Sequence, residues 1–255
     1  MNRRILLCSF LFLICVGFVS DAWAQPTLPV PPASVIKATV QGATAPRDVS
    51  TTLQIVALLT ILSVAPAILL MVTCFTRLIV VLGFVRRALG LQQTPPNQVI
   101  VTLALFLSLY IMAPTWEQMY TQGLVPYMNE KIGTAEAWER SITPLRTFML
   151  AQTREEELSL MVSMSGMKRP ENAGDIPNQI LLPAFMLSEL KSAFQMGIVI
   201  FIPFIVVDMI IASVLMSMGM IMLPPMMISL PFKILLFIMA DGWDLVVVSL
   251  IRSFQ

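Results

Sequence analysis

Four charged residues lie in or beside long apolar stretches, where an ionisable group is costly unless it is paired or faces water. They are Arg77, Glu189, Asp208 and Lys233. We predict that Glu189 and Lys233 form ion pairs that fix the register between subunits, and that Arg154 joins them. Arg77 and Asp208 are predicted as buried ionisable sites. Asp208 follows Pro203 by five residues and is the better suited of the two to carry protons or ions.

Catalytic chemistry is poorly supported, because the sequence contains no histidine and so lacks the commonest general base and metal ligand. It also lacks the motifs of α/β-hydrolases, zinc proteases, P-loop enzymes and dinucleotide-binding enzymes. Ser188 and Lys191 match the S-x-x-K pattern, but two fixed positions recur by chance and the companion motifs are missing. We therefore predict no catalytic residue, no cofactor and no metal site.

A cluster of seven methionines within nineteen residues is the most unusual feature of the composition. Its members are Met209, Met216, Met218, Met220, Met222, Met226 and Met227. Gly219, Pro224 and Pro225 lie among them and predict a break in the helix, since glycine weakens a helix and proline removes a backbone donor. Methionine is flexible and polarizable, so several on a broken loop can form a deformable seal. The alternative is that they fill gaps in an apolar core.

The composition is that of a membrane protein. Of the 255 residues, 57% are hydrophobic and 12% are charged, with a mean hydropathy of +0.82, whereas soluble domains carry about 25% charge. The apolar runs 198–215 and 226–251, on either side of the methionine-rich break, are each long enough to cross a bilayer. The net charge of +1, with no basic stripe, argues against nucleic acid as a partner.

The N-terminus has the three parts of an export signal. Arg3 and Arg4 are followed by an apolar region over residues 5–19 and by a small-x-small sequence that ends at Ala24. We predict a signal peptide over residues 1–24 with cleavage between Ala24 and Gln25, an uncleaved anchor helix being the alternative. Residues 25–48, rich in proline, alanine and threonine, are predicted to form a flexible leader.

The rest of the sequence predicts an all-α membrane protein, with about four long apolar, partly broken helices in two hairpins that flank a charged helical insert. The first hairpin covers residues 49–113. Its first helix is expected to start at Thr51 or Thr52, to kink at Pro66 and to continue beyond one bilayer span, so it is either broken or partly outside the bilayer. Its second apolar run is expected to be short and to end before Pro114.

The second half of the chain contains the insert, over residues 114–184, and the second hairpin, over residues 185–255, with the methionine-rich loop. If the N-terminus is exported, the positive-inside rule places the loop that carries Arg86 and Arg87 on the cytoplasmic side. The insert is then expected on the exported side.

Ten short motifs are similar to those of one family. In chain order they read APAILLM at 65–71, FTR at 75–77, RALG at 87–90, QTPPNQ at 93–98, PAFMLSEL at 183–190, FIPF at 201–204, ASVLM at 212–216, GMIMLPP at 219–225, LPFK at 230–233 and DGW at 241–243. Together they resemble the FliP family, the flagellar member of a group of type III secretion export-gate proteins. The resemblance runs from about residue 53 to the last residue.

This resemblance implies that five copies of the chain assemble with FliQ, FliR and other membrane subunits of the export apparatus. The assembly would be a ring-like helical cone around a path for unfolded substrates, in the bacterial inner membrane at the flagellar basal body. The resemblance also implies that a methionine gasket falls on Met220, Ile221 and Met222, with Met216 and Met218 adding sulfur upstream. Ile221 departs from an all-methionine triplet and is stiff at χ1, so we expect a less pliable seal there.

Arg154, Glu189 and Lys233 lie in contexts similar to the family's, which supports their predicted role at subunit contacts. Three functions stay open: a gated pore subunit for protein export, an ion- or solute-conducting subunit that uses Asp208, and a scaffold that only nucleates the secretion apparatus. The resemblance favours the first over the second and does not separate the first from the third. The signal peptide and long leader resemble the flagellar branch more than the injectisome branch, which is the alternative.

Overall fold

The computed structural model describes residues 46–91, 93–167, 172–220 and 223–254. The predicted signal peptide, the cleavage site between Ala24 and Gln25 and most of the predicted leader lie outside these residues, as do Ile221 and Met222 of the predicted gasket. The chain divides into two compact units, of which the first reaches Leu69 and the second begins at Leu70. The ion pairs and the methionine-rich segment described below all belong to the second unit.

Every regular element among the described residues is helical, which confirms the predicted all-α class. The α-helices are α1 Pro46–Met71, α2 Phe75–Ala88, α3 Asn97–Met119, α4 Val125–Met128, α5 Thr134–Gln152, α6 Glu155–Met164, α7 Asn178–Ser217, α8 Pro225–Met239 and α9 Gly242–Arg252. A π-helical turn, Tyr120–Leu124, connects α3 to α4. A 3-10 turn, Ala173–Asp175, precedes α7.

Among the residues that the structure describes, three stretches are long and apolar enough to cross a membrane: Leu53–Met71, Asn97–Met128 and Asn178–Ser217. Helices α8 and α9 make a fourth if this pair, bent by 62°, is counted as one span. The prediction of about four long apolar, partly broken helices is therefore confirmed.

Four prolines lie inside α1, α3 and α7. Helix α1 runs through Pro66, α3 through Pro114, and α7 through both Pro183 and Pro203. The prediction that the second apolar run ends before Pro114 is wrong, because α3 continues to Met119. A proline removes one backbone donor, but within a packed bundle neighbouring side chains and small backbone adjustments satisfy the groups it leaves free.

The first apolar run is broken, which was one of the two possibilities that its length suggested. Helix α1 begins at Pro46, upstream of the predicted caps, and the break comes at residues 72–74. Cys74 lies in this break and is fully buried, with its Sγ 3.4 Å from the Oγ of Ser108 on α3. Burial raises the pKa of the Cys74 thiol to about 11, so it stays protonated and acts as a small packing residue.

The core of the second unit is built on one face of α2. Leu78, Val81, Leu82 and Val85 repeat at helical spacing and are at most 1% exposed. Burying each such side chain contributes about 1.5–3 kcal/mol. Apolar residues of α3, α5, α7 and α9, with the fully buried Phe185 among them, form one cluster with Leu78, Val81 and Leu82. Helix α2 therefore lies at the centre of the bundle, and its one residue with both a charge and full burial, Arg77, is carried into the core.

Candidate functional site

Arg77 and Glu189 form a buried ion pair that joins α2 to α7. Arg77 Nε donates to Glu189 Oε2 at 3.0 Å and Arg77 Nη2 donates to Glu189 Oε1, so the guanidinium binds both carboxylate oxygens. Arg77 is 3% exposed and Glu189 is 0% exposed. The planar guanidinium favours this two-point geometry, which holds the two helices in one register.

The other donors of Arg77 hold the segment that follows α9. Arg77 Nη1 donates to the backbone O and to the Oγ of Ser253, both at 3.1 Å, and Nη2 also donates to Gln152 Oε1 at 3.3 Å. With the two bonds to Glu189, all five donors of a guanidinium are in use. The guanidinium carbon lies 3.9 Å from the centre of the Phe254 ring, as a cation–π contact requires. Arg77 thus ties α2, α5, α7 and this segment together.

Lys233 and Asp208 form a second ion pair between α8 and α7, the two helices that flank the methionine-rich segment. Lys233 Nζ donates to Asp208 Oδ2 at 2.7 Å and to the backbone O of Ala88 at 3.3 Å. Ser229, one turn before Lys233 on α8, donates from Oγ to Asp208 Oδ1 at 2.6 Å. Ala88 ends α2, and a cation is favoured at the C-terminal end of a helix. We call Asp208, Ser229 and Lys233 the α7–α8 clasp.

Each of the four charges singled out in the sequence therefore has a partner within its own chain. Glu189 pairs with Arg77 and Lys233 pairs with Asp208, so Glu189 and Lys233 are not brought together. A role of Glu189 and Lys233 at contacts between subunits stays a prediction. Sequence reasoning missed Ser229, although its spacing of four residues from Lys233 places both on one face of a helix.

Arg154 belongs to neither pair and lies at the junction between α5 and α6. Its Nη2 donates to Ser192 Oγ at 3.2 Å and to Gln195 Oε1, both on α7. Its backbone N–H donates to Ser188 Oγ at 3.1 Å, and Ser188 Oγ donates to the backbone O of Gln152, also at 3.1 Å. A polar cavity of about 330 Å³ borders this junction. Gln152, Ser253 and Phe254 were also missed, because nothing in the sequence marks them as partners of a charge.

A more exposed ion pair joins α6 to α7. Lys191 Nζ donates to Glu156 Oε2 and to Glu157 Oε1, both at 2.8 Å. The hydrogen bond from Lys191 holds the pKa of the Glu157 carboxyl below its usual range. Within the ranges that the structure describes, no group of three or more His, Cys, Asp or Glu residues lies together as metal ligands would.

The methionine-rich segment begins where α7 ends. The backbone N–H groups of Gly219 and Met220 donate to the backbone O atoms of Met216 and Leu215, each at 3.0 Å. These two bonds make a Schellman motif, which requires a left-handed residue, and Gly219 supplies it with φ +77°. Helix α8 begins at Pro225, so the predicted break between the two apolar runs is confirmed.

The methionines around this break point away from the core. Met216, Met218, Met226 and Met227 are between 64% and 74% exposed. Within one chain they fill no gap, which argues against the alternative that these four are core residues. A gasket role for the segment stays a prediction. The arrangement as a whole can hold two helices firmly by the α7–α8 clasp while it leaves flexible side chains at their connection.

Comparison with known proteins places this site in a family. The model of the FliP family matches residues 58–250, a stretch that contains both buried ion pairs and the methionine-rich segment. The chain is 53% identical over 209 residues to the flagellar biosynthetic protein FliP of Bacillus subtilis, covering 82% of this chain and 95% of that protein. It is 50% identical over 202 residues to the protein of the same name from Caulobacter vibrioides (79% of this chain, 76% of that protein). It is 51% identical over 211 residues to the one from Borreliella burgdorferi (82% and 83%). The chain belongs to the FliP family.

Proposed function

We propose that the chain is a core subunit of the flagellar type III protein export gate. In this proposal five copies, with FliQ and FliR, form the channel through which unfolded flagellar proteins cross the inner membrane. The methionine-rich segment between α7 and α8 closes the channel as a gasket. Membership of the FliP family supports the flagellar role, and the exposed methionines at the α7–α8 connection are the observation that carries the channel role.

These methionines suit a seal because most of their side-chain surface is left exposed within one chain. Met216, Met218, Met226 and Met227 are exposed and lie on both sides of the connection. In a ring of copies, one such connection from each subunit meets at the axis. Unbranched, polarizable side chains can then close against each other and repack around a passing chain.

The α7–α8 clasp supports this proposal by fixing the helices on which the gasket is mounted. Lys233 and Ser229 both bind Asp208, so α7 and α8 are cross-linked about two turns away from the connection. A deformable tip on rigid arms can open without separating the arms. The clasp also reaches the end of α2 through Ala88, which links the arms to the centre of the bundle.

Orientation and location form part of the same proposal. Helices long and apolar enough to cross a membrane support a membrane location, and the FliP relatives are flagellar proteins by name. We assign the insert and the mature N-terminus to the periplasmic side, because Arg86 and Arg87, which the structure places in the last turn of α2 rather than in the predicted loop, fit the cytoplasmic side.

Co-purification tests this function. The chain is expressed with its FliQ and FliR partners, extracted in detergent, and its assembly is weighed by native mass spectrometry. The proposal predicts one discrete complex that contains five copies of this chain and both partners. A monomer or dimer without them contradicts it, and assembly with injectisome counterparts in preference to FliQ and FliR assigns the chain to the other branch.

A further inference from the structure

A side chain of α7 supplies the hydrogen bonds that hold the junction between α5 and α6. Helix α5 ends at Gln152 and α6 begins at Glu155, with Thr153 and Arg154 extended between them. The backbone N–H of Arg154, the N-cap residue of α6, donates to Ser188 Oγ at 3.1 Å. Because Ser188 Oγ also donates to the backbone O of Gln152, this one fully buried hydroxyl on α7 closes the junction from both sides.

The α6 helix carries its own acceptor for the same N–H. Glu157 is the third residue of α6, the position from which a glutamate commonly reaches back to accept the backbone N–H of the N-cap residue. Here its Oε1 accepts from Lys191 instead, and its Oε2 is buried with no hydrogen-bond partner. A buried carboxylate oxygen without a partner is destabilising, so Glu157 is an acceptor that the present arrangement leaves unused.

We propose that this junction is a two-state latch in which Ser188 Oγ and Glu157 Oε2 compete for the backbone N–H of Arg154. In the closed state, described here, the N–H binds Ser188 and α6 lies against α7. In the open state it binds Glu157, so α6 leaves α7 with its N-terminus still capped. The polar cavity of about 330 Å³, lined by Gln152, Arg154 and neighbouring polar residues of α7, gives the junction room to move. The latch goes beyond the export-gate function and does not depend on it.

A double-mutant cycle with Ser188→Ala and Glu157→Ala tests the latch, with hydrogen exchange of the first turn of α6 measured by mass spectrometry on the detergent-purified complex. Each single change leaves one acceptor, so we expect exchange within about twofold of the wild type. The double change leaves none, and exchange should rise about fivefold above the product of the single effects, as expected for the loss of a helix N-cap. Effects that simply multiply would overturn the latch.

The matched control replaces Glu157→Ala by Lys191→Ala, which removes the ion pair but keeps the carboxylate that can accept the N–H. Combined with Ser188→Ala, it should show no excess over the product of the single effects, and an equal excess would contradict the proposal. If the double variant fails to fold, the Ser188→Ala variant decides alone. Unchanged exchange then supports the latch, and a rise of fivefold or more refutes it, because Glu157 would not have replaced the serine.

Discussion

The two buried ion pairs use the same chemistry in different surroundings. Glu189 is fully buried. All five donors of its partner Arg77 bind acceptors on α5, on α7 or in the segment after α9. The Asp208 side chain is 33% exposed, and its clasp joins two helices that follow each other in the chain. The first pair therefore ties α2, α5, α7 and the segment after α9 together, whereas the second fixes the arms next to the methionine-rich segment and links them to the end of α2. Of these two ion pairs, the one nearer to the proposed moving part is therefore the one whose carboxylate keeps access to water.

Of the changes to these two pairs, we expect Arg77→Met to cause the largest loss of stability. The change leaves the Glu189 carboxylate buried without its cation, which costs about 3–5 kcal/mol when one partner of a buried pair is removed. We expect a large loss of assembled complex and a strongly lowered midpoint in thermal unfolding of the detergent-purified protein.

Arg140→Met is the matched control, because Arg140 pairs with Glu136 four residues earlier and both side chains are about half exposed. Its effect should stay below about 0.5 kcal/mol, as for other exposed pairs. Equal losses from both variants would mean that burial does not distinguish them.

Lys233→Met should cause a loss of stability between those of Arg77→Met and Arg140→Met. The Asp208 carboxylate keeps Ser229 as a donor and can take up water, so we expect about 1.5–3 kcal/mol, the usual contribution of hydrogen bonds to a charged group. Thermal unfolding of the same complex measures it. A loss as large as that of Arg77→Met would show that the clasp is as essential to the bundle as the buried pair, against the distinction drawn here.

The helices of this site and the break between them could be predicted from the sequence better than the contacts between their side chains. The break between α7 and α8 could be predicted, because Gly219, Pro224 and Pro225 act on the local backbone. The charges that matter could be predicted as well, since their cost in apolar surroundings is a property of the residue type.

Their partners could not be predicted, because they are set by tertiary packing. Arg77 meets a residue that lies 112 positions later in the chain, and Ser253 lies 176 positions later. The same limit explains the error at Pro114. A proline predicts a helix end only where nothing else holds the helix, and in α3 the burial of Met112 and Thr115 around it supplies other contacts.

A small effect is also expected from the pair of Lys191 with Glu157, in which the lysine side chain is 41% exposed. Because the pKa of Glu157 is lowered in the folded protein, its contribution is present above the pKa of an unfolded glutamate, about 4.3, and is lost as the pH falls through the lower folded value. Glu157→Gln should therefore lower the thermal stability slightly at neutral pH, and its difference from the wild type should disappear as the pH falls below about 4.3. A variant that loses as much stability at pH 7 as Lys233→Met would place this pair with the buried ones.

If the methionine-rich segment seals a channel, changing its methionines should alter the permeability of the assembled complex to small solutes. Met220 and Met222 are replaced together by alanine, and the uptake of a small, membrane-impermeant solute is measured in cells that contain the assembled complex. We expect a leak, because alanine cannot fill the space between subunits.

Met209→Ala is the matched control, since Met209 is an exposed methionine on α7, outside the connection to α8. It should leave the permeability unchanged. Unchanged permeability in the double variant, or an equal leak from Met209→Ala, would contradict the seal.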